Sequence, residues 1–166
     1  MNKLVLLWLP ILFLSCKQIA LTQKSENTFA IYTLKDSTIY TSLALQHPID
    51  SLILEDTPFL TSSYLKSYTW ATHTFELTPE MNSKWGQLQK LRGKSGGVPF
   101  IVTVGKEKIY IGTFWWRYSS LMPSGCVIIH VISPYPYKID LSKGAADKRS
   151  DPRIYNSLKD AGVLLE

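Results

Sequence analysis

The residues in this chain best suited to recognition chemistry stand together: Phe114-Trp115-Trp116-Arg117-Tyr118, followed by Ser119 and Ser120. Four aromatics and one guanidinium close an alternating stretch. Tryptophan and arginine are enriched where an interface concentrates its binding energy, and a flat aromatic face can also stack on a sugar ring. In a strand, Trp115 and Arg117 point to one side and Trp116 and Tyr118 to the other. One side must be core, so one aromatic beside a cation is expected at the surface. Trp115, Trp116, Arg117 and Tyr118 are therefore the candidate binding residues. The plain alternative is that both indoles are core and edge protection. Tyr64, Tyr68 and Trp70 would extend the same surface if their strands neighbour it.

The other reactive side chains form no signature. His47, His73 and His130 are the histidines, and neither HxH nor HExxH spacing occurs, so no metal site is assigned. Each is read as a structural histidine with its ring hydrogen-bonded. Ser119, Ser120 and Cys126 are the candidate nucleophiles, and none lies in a Gly-x-Ser-x-Gly elbow. Cys126 and His130 sit four residues apart on one strand face. At ~3.3 Å per residue they are about 13 Å apart, too far for a dyad. Cys126 opens the run Cys126-Val127-Ile128-Ile129 and is read as a buried small hydrophobe. No catalytic residue and no cofactor is assigned.

The elements that position these residues follow from periodicity and punctuation. Strands are expected over Phe29–Leu34, Ile39–Leu45 (as a hairpin with the first), Trp70–Leu77, Phe100–Val104, Ile109–Trp116, Cys126–Ile132 and Tyr137–Leu141. Thr61-Ser62-Ser63 caps a short turn over Tyr64–Tyr68. Thr78 is an N-cap, Pro79 fits the first helical position, and Met81, Trp85, Leu88 and Leu91 recur on one face. Gly93, Gly96 and Gly97 stop that helix. A last helix begins with Asp151 as cap and Pro152, buries Ile154, Leu158 and Ala161, and ends at Gly162. The expected fold is α+β, one mainly antiparallel sheet with two helices packed on one face.

Composition bounds the function further. The chain has 166 residues, 45% of them hydrophobic, and a net charge of +5. That is single-domain length. Basic residues gather near the C-terminus at Lys143, Lys148, Arg149 and Arg153, but Asp147 and Asp151 interrupt them. No continuous positive stripe results, so nucleic acid is not an expected partner.

Lys3 precedes an unbroken apolar run, Leu4 to Leu14, closed by Ser15-Cys16. The run is too short for a membrane span, which needs about 20 residues, and suits a secretory h-region of roughly 7–15. A small residue followed by Cys resembles the lipobox of bacterial lipoproteins. That resemblance implies that residues 1–15 are a signal peptide and that Cys16 becomes a lipid-modified (palmitate-bearing) first residue. Residues 16–27 would then be a polar tether and 28–166 one folded domain. The implied address is the cell membrane or outer membrane of the cell envelope, after export. The partners would be the lipid bilayer through acylated Cys16 and an envelope protein or glycan. An ordinary cleaved signal or a buried N-terminal helix remain the plainer readings, and a Cys16–Cys126 disulfide is incompatible with acylation.

Within the mature chain, Leu60-Thr61, Leu77-Thr78-Pro79-Glu80, Gly96-Gly97, Phe100 to Gly105 and Ile109 onward resemble, in order, the periplasmic head domain of SecD-type protein-export subunits. The resemblance implies an α+β module that touches other exported proteins, and no translocase activity. The mature chain also resembles small secreted lipoproteins, a likeness that brings no activity. The expected function is a membrane-anchored envelope lipoprotein with a non-catalytic binding domain. A small envelope hydrolase is the alternative.

Overall fold

The computed structural model describes residues 27–88, 96–116, 123–132 and 136–166. The strands are β1 (Phe29–Thr33), β2 (Leu60–Thr61), β3 (Leu65–Thr69), β4 (Thr74–Leu77), β5 (Val98–Val104), β6 (Glu107–Trp115), β7 (Val127–His130), β8 (Tyr137–Leu141) and β9 (Leu164–Leu165). The helices are α1 (Thr41–Ala44), α2 (Pro79–Leu88) and α3 (Pro152–Asp160), with 3-10 turns at Ile49–Ser51 and Ser62–Tyr64.

The strands form one nine-stranded sheet in the order β2-β1-β5-β6-β7-β8-β4-β3-β9. It is mixed: β6 runs parallel to β7, and β3 parallel to β9. β8 joins its two parts. Val127 and Ile129 of β7 pair with Leu141 and Ile139, and Thr74 and Phe75 of β4 pair with Lys138 and Tyr137. The fold is α+β, but the sheet is mixed and curls into a half-barrel, which corrects the expected mainly antiparallel sheet with two helices packed on one face. Tertiary pairing decides this, because nothing local in Val127–His130 says which way it runs beside β6.

Every residue of β5 is buried. Alternation then requires cover on both faces. Val98, Phe100, Val102 and Val104 face the main core, where Trp85 and Met81 of α2 and Ile154 and Leu158 of α3 also lie. Ile101 faces a second cluster with Leu34, Ala44 and Leu52. The cover on that second face is the segment from Leu34 to Leu54, not a hairpin strand. α1 replaces the strand expected over Ile39–Leu45. Lys108 fixes this cover: its ammonium donates to the carbonyls of Ile49, Asp50 and Leu52 at 3.4, 3.0 and 2.7 Å.

Three sequence signals act as local chemistry dictates. Thr78 caps α2 through its hydroxyl to the Met81 N–H. Asp151 caps α3, accepting from the Arg153 N–H at 2.9 Å. Gly162 ends that helix at φ +71°. The expected helix residue Leu91 and its stop at Gly93 lie outside the described residues. The strand expected over Trp70–Leu77 begins only at Thr74, because residues 70–73 turn the β3–β4 hairpin.

Candidate functional site

Trp115 closes β6 and Trp116 follows it, and the expectation that one stays wet is corrected. Trp115 is 5% exposed and Trp116 7%. Alternation does send them to opposite faces, but both faces are covered. Trp116 joins the main core. Trp115 lies against Gly97, where an added Cβ would stand 2.7 Å from the indole. Neither indole offers a free face for a sugar ring. Arg117 and Tyr118, with Ser119 and Ser120, lie outside the described residues. Tyr68 and Trp70 do not extend this surface: β3 stands four places from β6 in the sheet, and Trp70 instead meets Tyr155 edge-on at 5.1 Å. Tyr64 lies under Lys84, whose ammonium also stands over Phe59.

What β6 does offer is the floor of a recess. Trp115, Thr41, Ser42, Leu45, Gly96, Pro123 and Ser124 line a cavity of about 360 Å³. Its wall is α1, held by the Thr41 N–H to the Gly96 carbonyl and by the Thr41 hydroxyl to Thr113 at 2.7 Å. Tyr40 and Leu43 are 47% and 42% exposed beside it, and Leu45, at the rim of the recess, is 36% exposed. Sequence reading missed this surface. Ile39–Leu45 alternates well enough to pass for a strand, and a four-residue helix is too short to show a helical period.

A second cluster surrounds His73. This histidine sits at φ +52°, the one non-glycine residue with positive φ among those described. Turn geometry at the hairpin demands the left-handed conformation, which histidine tolerates better than most side chains. The ring is buried. Nδ1 lies 3.0 Å from the Tyr68 hydroxyl and Nε2 lies 3.5 Å from the Ser150 hydroxyl. The backbone is pinned too, since the Ile139 N–H donates to the His73 carbonyl. Beside it the Arg149 guanidinium grips both oxygens of Asp147 and donates to the Ile139 carbonyl at 2.7 Å.

The chain Ser150–His73–Tyr68 has the outline of a nucleophile, base and orienting group, yet its chemistry is poor. A Tyr68 hydroxyl that donates to Nδ1 places the ring proton on Nε2, facing Ser150, and such a ring cannot take the serine proton. The opposite tautomer needs the phenol as acceptor, and 3.5 Å is the outer limit of a hydrogen bond. The cluster serves better as a structural clamp on the hairpin.

That clamp predicts a pH dependence. Burial, then the nearby Arg149 charge, lowers the His73 value below its ordinary 6.5. The unfolded chain therefore takes up this proton first as pH falls. Stability is full above about 6.5 and declines below it, toward the lowered folded value. Asp147, hydrogen-bonded by Arg149, is held at about 2. Its contribution is lost in a separate window, between its ordinary value near 3.8 and 2. Thermal melting against pH should show the upper decline in the parent and lose it in His73→Asn, which keeps a side chain suited to positive φ. Equal slopes for both proteins would remove His73 as the cause.

Cys126 carries a free, buried thiol, raised by that burial. It shares a cavity of about 340 Å³ with His47, Tyr110 and Lys148. A thiol kept protonated is a weak nucleophile. His130 pairs with Trp115 across β6 and β7. Among the described residues no group of His, Cys, Asp or Glu could hold a metal ion. No protein family, no curated protein and no solved structure matches the chain.

Proposed function

We propose that this chain is an exported lipoprotein, anchored to a membrane of the cell envelope by a lipid on Cys16. In this reading residues 1–15 are removed, 16–27 are the tether, and 28–166 are a domain that binds an envelope component without performing chemistry. The observation that carries it is Ser15-Cys16 at the end of the apolar run Leu4 to Leu14 behind Lys3. One structural fact supports it: Cys126 is buried and carries a free thiol. Binding rather than catalysis is supported by the recess floored by Trp115 and by the weak proton chemistry at His73.

Metabolic labelling with a fatty-acid analogue tests the anchor. The wild-type protein should take up label and Cys16→Ala should take up none, with altered membrane fractionation. An unlabelled wild-type protein, or a Cys16–Cys126 disulfide found by mass spectrometry, would sink the reading.

A further inference from the structure

We propose that the cavity beside Cys126 is a binding site for a small monocarboxylate with an apolar tail. The inference depends neither on the lipid anchor nor on the recess floored by Trp115. The cavity exists because β6 outruns its neighbour. β6 starts at Glu107, yet β7 pairs with it only from Gly112 onward. Among the described residues no strand flanks Glu107–Ile111 on that side. The cover over Ile101 fills the space only in part. Ile49 and Ile111 pack against the second cluster, and a cavity of about 340 Å³ remains where Leu45, His47 and Ile49 meet Ile111 and the start of β7. A Cβ on Gly125, which lines it, would meet nothing within 4 Å.

The lining decides the chemistry of the ligand. Leu45, Ile49, Ile111 and Val127 are apolar, and no Asp or Glu stands among them. The Cys126 thiol, kept protonated by burial, adds no charge. Lys148 supplies an ammonium, and His47 a ring nitrogen able to donate a hydrogen bond. That ammonium is not neutralised nearby. Arg149 pairs with Asp147, and Arg153 with Asp151 and Glu107, whereas Lys148 has no ion pair among the described residues. Asp151, the carboxylate its charge reaches, already accepts two bonds from the Arg153 guanidinium. A carboxylate leaves water for an apolar pocket only when a charged donor meets it. One ammonium balances one negative charge, while a phosphate dianion with three acceptor oxygens asks for more donors. A mostly apolar cavity with a few convergent polar groups is the usual form of a small-molecule site.

The test is calorimetric titration of the full chain in detergent with hexanoate, hexan-1-ol and hexylammonium, each corrected for detergent alone. Hexanoate should saturate at one per chain and bind several-fold more tightly than the alcohol, and the amine should show no saturable binding. Lys148→Gln should bring hexanoate down to the affinity of hexan-1-ol. Lys148→Glu should reverse the order, so that hexylammonium binds and hexanoate does not. Lys106→Gln, which makes the same charge change outside the lining, should behave as the parent. Both lysines are exposed, and unchanged melting temperatures check that the variants fold. No saturation in the parent, equal affinity for hexanoate and hexan-1-ol, or an unaltered Lys148→Gln overturns the site. An equal loss in Lys148→Gln and Lys106→Gln also overturns it, by showing diffuse attraction to a basic chain.

Discussion

Trp85→Ala is expected to lower stability by about 3–5 kcal/mol, the range for removing a buried tryptophan. The side chain is 1% exposed and is the hub on which the curled sheet closes. Phe59, Phe75, Phe114 and Tyr137 approach its ring at 5.7, 6.0, 5.6 and 4.8 Å. These residues come from four different parts of the sheet and its connections. Its indole N–H also reaches the Val131 carbonyl. Removing the ring takes away the surface that β4, β6 and β8 share, and the hydrogen-bonded backbone of the curled sheet cannot collapse far into the gap. Against a domain stability of about 5–15 kcal/mol, the loss should appear as a large drop in melting temperature. A variant that melts like the parent would show that α2 is not seated as described.

The second large effect is expected from one methyl group. Gly112→Ala should cost about 1–3 kcal/mol by overpacking. Gly112 of β6 pairs directly with Phe100 of β5, and a Cβ there would stand 2.2 Å from the Phe100 ring. The ring cannot yield, because it is fully buried and packed at a tilt against Phe114 at a centroid distance of 4.7 Å. An aromatic laid over a cross-strand glycine is a known way to fill the gap that glycine leaves. Combining Gly112→Ala with Phe100→Leu should therefore lose less than the two single variants add up to. Strict additivity in denaturant unfolding would mean that the contact is not what makes Gly112 necessary.

The contrast between these two positions shows where sequence reading stops. Trp85 was legible because Met81, Trp85 and Leu88 repeat on one helix face behind a Thr78-Pro79 start. Gly112 was not, since its constraint comes from a residue twelve positions away across a hairpin. The SecD-like pattern has the same character: Leu60-Thr61 leads into a 3-10 turn and Leu77-Thr78-Pro79-Glu80 opens α2, as capping rules alone require. Such signals are made by neighbours in sequence, so they are visible without a fold.

The candidate site divides in the same way. The sequence by itself determined the caps at Thr78 and Asp151 and the apolar runs that became β5 and β7. Each depends on local backbone chemistry or on a run of apolar side chains. Only the tertiary structure decided that both faces of β6 are covered, which buries Trp115 and Trp116 together. It also decided that Thr41–Ala44 is a short helix walling a recess where a strand was expected, and that His73 meets Ser150. Alternation fixes which residues share a face, but whether a face is wet depends on what distant chain is laid across it. Here that chain is Leu34–Leu54, pinned by Lys108.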